Sequence, residues 1–145
     1  MEKKRRKRKT GFSFKVSDGG YDLEAQAQVI GSDLLVAIWG GTAPHIGAVS
    51  LAQPRPSLKD PERTSATASV ICVVGHKEDE LVKKASEFMA ACLNVRVVVT
   101  AGIHWDHMSE EDIQTVVRNA ERLVRLITEE IRTTMTPTPG GHNKA

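Results

Sequence analysis

The sequence predicts a single α+β domain, on three observations. Five strand-like segments come first, then a helix, a sixth strand and a second helix, an order unlike the regular alternation of a doubly wound sheet. A length of 145 residues gives room for one domain of ordinary size. A composition of 40% hydrophobic and 26% charged residues is that of a chain able to bury a core without disulfides.

The elements follow in order. Phe12 to Val16 and Tyr21 to Ile30 read as a hairpin around the turn signal Asp18-Gly19-Gly20. In the second of these strands Tyr21, Leu23, Ala25, Ala27 and Val29 share one face, and Asp22, Glu24, Gln26 and Gln28 the other, the alternation of a half-exposed antiparallel strand. Asp33 to Gly40 carries an unbroken Leu-Leu-Val-Ala-Ile-Trp, which predicts cover on both faces. A Gly-Gly-Thr-Ala-Pro loop leads to a fourth strand, Ile46 to Ala52, and Gln53 to Arg63 reads as a Pro-rich surface loop. Ser65 to Val74 is a fifth strand of small residues, leaving room above the sheet for close packing or for a flat ligand. Gly75 opens a helix reaching Asn94, with Leu81, Ala85, Phe88, Met89 and Cys92 as its apolar stripe. Val95 to Thr100 is the sixth strand, and Ala101 to Met108 a loop. The last helix starts at Ser109, with Asp112 as capping-box partner, and repeats apolar residues from Ile113 to Ile131 at helical spacing. Residues 1–10 and 136–145 read as disordered tails around one domain at 11–135, since neither tail carries an apolar pattern.

The formal net charge of +2 conceals an asymmetry. Residues 3 to 9 hold seven of the 20 basic groups; without residues 1 to 10 the chain has 13 basic against 17 acidic groups, a body of net charge −4. Nucleic acid therefore has an electrostatic case only at the tail. No apolar run approaches the roughly 18 residues of a membrane helix, and the basic start is not followed by a signal-peptide core. Cys72 and Cys92 are far apart and lie in apolar segments, which reads as reduced core cysteines in a cytoplasmic protein.

Chemistry concentrates in loops. His45 precedes strand four, His76 follows strand five, and His104 and His107 flank Asp106 after strand six. Imidazoles with a nearby carboxylate suit a first-row transition metal, with Asp106 as ligand or as a group orienting a histidine. Isolated loop histidines are more often merely solvated; three clusters beside glycines make metal or polar-ligand binding about as good a reading. Gly40, Gly41, Gly47, Gly75 and Gly102 lack a Cβ, so backbone N–H groups there can approach a ligand closely. Lys77 at a helix start and Arg55 after strand four are phosphate candidates, although Glu78, Asp79 and Glu80 already complement the dipole of that helix. Neither nucleotide loop, G-x-x-x-x-G-K-[ST] or G-x-G-x-x-G, is present, and neither is G-x-S-x-G or H-E-x-x-H. Trp39 and Trp105 can stack on a planar ligand or serve the core.

Three motifs in this order, Gly-Gly-x-x-x-His-Ile-Gly-Ala, Gly-His-Lys-Glu and Thr-Ala-Gly-Ile-His-x-Asp, resemble the LpdD-type small proteins over about residues 20 to 132. Proteins of that type accompany UbiD-type aromatic acid decarboxylases and are regarded as prenylated-flavin chaperones. The resemblance implies a fold like that of proteasome assembly chaperones, with antiparallel sheets, two main helices and a homodimer. It implies a non-catalytic partner that binds prenylated FMN together with a divalent transition metal ion and serves a UbiD-type decarboxylase, with a flavin prenyltransferase as a further partner. His45, His76, His104 and Asp106 fall on the matching motifs, and His107 lies one residue beyond them. Two other readings stand beside this one: a small metal-dependent enzyme using Asp106 or a histidine as general base, and an assembly factor with a nucleic-acid-binding basic tail.

Overall fold

The computed structural model describes residues 7–73 and 78–135. Strands β1 (Gly11–Val16), β2 (Leu23–Ile30), β3 (Asp33–Gly41), β4 (Ala48–Pro56) and β5 (Thr64–Cys72) are followed by helix α1 (Asp79–Leu93), strand β6 (Val97–His104) and helix α2 (Glu110–Met135). One six-stranded sheet has the order β1-β2-β3-β6-β4-β5. It is antiparallel except for β3 and β6, which run parallel. The exception follows from the path of the chain. The β4–β5 hairpin leaves a gap beside β3, and α1 crosses back over the sheet to deliver β6 into it.

Both helices lie on one face. α1 packs over β4, β5 and β6, and α2 packs over β1, β2 and α1. Between sheet and helices Leu23, Val36, Ile38, Val97 and Val99 meet Val82, Met89, Leu123 and Ile127, all fully buried. Burying each large aliphatic side chain contributes about 1.5 to 3 kcal/mol. The small residues of β5 let α1 lie close, with Ala66, Ala68 and Val70 packed against the core. α1 stops at Asn94, left-handed at φ 54°, whose N–H donates to the Ala90 carbonyl at 2.9 Å. The capping box of α2 is closed in both directions: Asp112 N–H donates to Ser109 Oγ, and Ser109 N–H to Asp112 Oδ2, each at 3.1 Å.

Several local expectations change. β4 starts later than expected and takes in Gln53 to Pro56, because beyond the Ala52–Val97 pair only β5 borders it. A proline, which cannot donate, is tolerated where one side of the strand is open. β6 runs on through Ala101 to His104 because Ile38 to Gly41 of β3 pair with it there. β3 is covered on one face only, leaving Leu35 and Trp39 on the other. The buried stripe of α1 is Val82, Ala85, Ser86, Met89 and Ala90, rotated from the expected one, so that Phe88 and Cys92 are exposed. Cys72, at the end of an edge strand, is exposed too, so neither cysteine is a core residue. The fifth strand ends at Cys72 rather than Val74, and Gly75 falls outside the described residues, where α1 begins only at Asp79. No described helix is long and apolar enough to cross a membrane.

Candidate functional site at one end of the sheet

The strand order decides where the loops meet. The C-terminal ends of β3, β6 and β5 and the N-terminal end of β4 share one end of the sheet, through the pairs Gly41–His104, Ala48–Ala101 and Ala48–Cys72. Because β6 lies between β3 and β4, the connection Thr42 to Gly47 must cross over the end of β6. Backbone bonds tie it down: Thr42 N–H to the His104 carbonyl at 2.8 Å, Gly47 N–H to the Ala101 carbonyl at 2.9 Å, and Val73 N–H to the Gly47 carbonyl at 2.8 Å. The crossing is so close that a Cβ on Gly102 would collide with the His45 carbonyl oxygen, and one on Gly41, at φ +91°, with the His104 carbonyl.

The crossing loop carries His45 inward. Its Nδ1 lies 3.0 Å from the Ala43 carbonyl, and a carbonyl only accepts, so Nδ1 carries the proton. Nε2 then faces Glu78 Oε1 at 3.0 Å, with the two side chains only 22% and 12% exposed. The imidazole and the carboxylate are thus within ion-pair distance of each other in a largely enclosed position. Glu78 Oε1 also accepts from the Ile103 N–H at 3.3 Å, while Oε2 is buried with no hydrogen-bond partner among the described residues. Gly47 makes room for this carboxylate, since a Cβ there would strike Oε2.

A second pair sits outside the first. His104 Nε2 and Asp106 Oδ1 are 2.9 Å apart, with side chains 49% and 72% exposed. Beside it Trp105 meets Tyr21 edge-on, ring centroids 5.0 Å apart, and Trp39 Nε1 donates to Glu24 Oε2 at 3.1 Å. His107 is exposed and left-handed at φ 55°. The sheet end also opens on a groove of about 480 Å³ between α1 and α2, walled by Leu81, Phe88, Ile103, Val117 and Val124. Ile103 belongs to both places: its side chain lines the groove and its N–H holds Glu78.

The expected residues therefore divide. His45, Gly41, Gly47, Gly102, His104 and Asp106 share one end of the sheet. Gly75, His76 and Lys77 lie outside the described residues. Gly40 serves packing, since a Cβ there would meet Leu23 Cδ2 at 2.6 Å and the Asp22 carbonyl at 2.7 Å. Arg55 is seven residues along β4 from Ala48, about 23 Å away at strand rise, and donates to Thr67 Oγ1 and the Pro56 carbonyl. It belongs to the opposite end of the sheet. One metal centre built from His45, His104, Asp106 and His107 is not formed, and no group of three or more candidate ligands gathers among the described residues. His45 and His104 are each turned to a carboxylate of their own, and His107 stands exposed beyond them. Sequence reasoning missed Glu78 because a glutamate before a helix looks like a first-turn acid.

Residues 17–132 match the family described as the prenylated flavin chaperone LpdD-like domain. The chain belongs to that family. It is also 30% identical over 118 residues to Protein LpdD of Lactiplantibacillus plantarum, spanning 79% of this chain and 81% of that protein. In fold it is similar to a chain from a chaperone complex for yeast 20S proteasome assembly, with a TM-score of 0.51 over 88% of this chain and 99% of that one. At 11% identity that likeness concerns the fold alone. The α+β architecture and its likeness to a proteasome assembly chaperone agree with the expectation from sequence.

Proposed function

We propose that this chain is a non-catalytic, cytoplasmic carrier that binds prenylated FMN at the described sheet end. It would receive the cofactor from a flavin prenyltransferase and hand it to a UbiD-type aromatic acid decarboxylase. The observation that carries the reading, beyond family membership, is the continuity between the polar sheet end and the apolar groove through Ile103. A cavity of about 480 Å³ is within the range of cofactor sites, about 300 to 1,000 Å³. The apolar walls suit a fused ring carrying a prenyl-derived addition, and the exposed imidazole of His104 at the sheet end suits a phosphate. Prenylated FMN has both parts.

A divalent ion has a place in this reading only at His45 and Glu78. The Ala43 carbonyl fixes the imidazole so that Nε2 can be a ligand, and Glu78 Oε2 is buried without a hydrogen-bond partner among the described residues. Two protein donors fit an ion that takes its other ligands elsewhere, and such an ion would neutralise charge on the cofactor phosphate. His104 and Asp106 then act at the rim of the site. The two copies of a homodimer would each carry one such site.

The test is titration with prenylated FMN, prepared with a flavin prenyltransferase, followed by absorbance and by cofactor transfer to the apo-decarboxylase. Binding that weakens in Phe88→Glu and in His45→Ala, and transfer that restores decarboxylation, are the expected results. Full affinity in both variants would remove the site from this end of the sheet.

A further inference from the structure

The two edges of the sheet, β1 and β5, are finished differently. β1 has six residues, carries Lys15 and follows the basic run of residues 3–9. Charges of this kind discourage a further strand from pairing with an edge. β5 has nine residues, Thr64–Cys72, without a charge, a proline or a glycine. Its register shows which main-chain groups face outward. Val73 N–H donates to the Gly47 carbonyl, and the Arg63 carbonyl accepts from Ser57 N–H, so the odd-numbered residues of β5 turn toward β4. In an antiparallel pair the alternate residues turn both groups away. Thr64, Ala66, Ala68 and Val70 therefore point an N–H and a carbonyl outward, and no hydrogen bond among the described residues reaches these groups. The side chains of Ala66, Ala68 and Val70 pack against the core, which leaves the outward groups accessible.

We propose that β5 is the docking edge for the decarboxylase, which adds an extended segment to the sheet as a further strand while the cofactor changes hands. The proposal rests on the carrier reading above and names the surface on which transfer takes place. Main-chain groups supply the attraction in such pairing, so the segment is defined by its chemistry. It is extended, without proline at the paired positions, and uncharged where it meets β5. Position and area both favour this occupant. β5 ends beside Ala48, at the end of the sheet that holds His45, Gly47 and Glu78. A segment lying along β5 thus brings its owner to the mouth of the cofactor site. The nine-residue edge is about 30 Å long at strand rise and about 10 Å thick, roughly 300 Å² per partner. Pairing then buries about 600 Å² in all, below the ~1,200 Å² of a stable interface and in the range of transient ones. A donor must release its acceptor after transfer, so a contact of this size suits it. A second copy held by this edge alone would fall short of a stable dimer for the same reason.

Amide hydrogen exchange of the full, isotopically labelled chain reads the edge residue by residue. In the free chain the amides of Ala66, Ala68 and Val70 should exchange quickly, and those of Thr67 and Ser69, which face β4, slowly. Adding a UbiD-type decarboxylase free of cofactor should slow the first set by about tenfold or more and leave the amides of β1 unchanged. Ala68→Pro removes the central outward donor without removing a bond within the chain. Its circular dichroism spectrum and its prenylated FMN affinity should be those of the wild type, while affinity for the decarboxylase falls about tenfold. Ser13→Pro, at an outward position of β1, should leave that affinity unchanged. The proposal is overturned if the decarboxylase does not bind, or binds without slowing the amides of Ala66, Ala68 and Val70. Slow exchange of these amides in the free chain overturns it as well, because a second copy would then hold the edge. So does an equal loss in Ser13→Pro and Ala68→Pro, or protection by the flavin prenyltransferase alone. Failure here is distinguishable from failure of the cofactor reading. A chain that binds no prenylated FMN yet shows this protection refutes the carrier reading and leaves the docking edge standing, and intact cofactor affinity without protection does the reverse.

Discussion

The two faces of the sheet are built from the same strands and behave as different materials. On β3, Ile38 is buried under the helices, while Leu35, three residues earlier, is on the uncovered side. The helical face gains from every methylene, because Leu123, Ile127 and Met89 fill the space above it. The open face of a single chain gains less, because Leu35 and Leu51 keep 40% and 41% of their surface exposed. Apolar character in a strand thus states that a face is to be covered, without stating by what.

Paired substitutions on one strand break that comparison most strongly. Ile38→Ala should cost about 2 to 5 kcal/mol in denaturant unfolding, and Leu35→Ala about 1 kcal/mol or less in a monomeric background. Equal losses would mean that the open face is packed within one chain. Next comes the sheet end. Gly102→Ala forces a methyl group into the His45 carbonyl, with an expected loss of about 1 to 3 kcal/mol and a displaced 42–47 crossing. Its effect on cofactor affinity should exceed that of Leu51→Glu, which lies away from the crossing.

Glu78→Gln keeps the shape of the buried pair and removes its charge. Prenylated FMN affinity should fall by about tenfold, measured with and without chelator. If chelation weakens the wild type and leaves Glu78→Gln unchanged, the ion belongs to this pair. If neither responds, the pair works by proton alone. Smaller still is the cap of α2: Ser109→Ala should cost about 1 kcal/mol in thermal unfolding.

The smallest effect is in pH. Hydrogen bonds from Ser109, backbone first and then side chain, hold the Asp112 carboxyl below its ordinary range, with a lesser one from Tyr21. Its contribution is present above the ordinary carboxylate pKa and is lost as pH falls through the lower folded value. Tyr21 is raised, by desolvation first and by Asp112 second, so its contribution is present below its ordinary value and lost as pH rises through the raised one. Melting curves of wild type and Asp112→Asn should therefore converge in strong acid. A constant gap at all pH values would show that ionisation of Asp112 is not linked to folding.

Local sequence determined much of this molecule by itself. The Asp18-Gly19-Gly20 turn, the alternation of β2 and the Ser109–Asp112 box each act over a few residues, and each is found as the residues require. Motifs that lie together in the sequence also marked which loops matter. The tertiary structure alone decided what those loops do to one another. Placing β6 between β3 and β4 sends the Thr42–Gly47 connection across Gly102, and that crossing turns His45 to Glu78 and leaves His104 to Asp106. Asn119 shows the same limit: buried on α2, it donates to the Asp18 and Tyr21 carbonyls about a hundred residues away and pins the first hairpin to the last helix. Spacing along a chain governs contacts within one turn or one hairpin. Partners set by strand order have no spacing to read, because the distance between them is created only when the sheet closes.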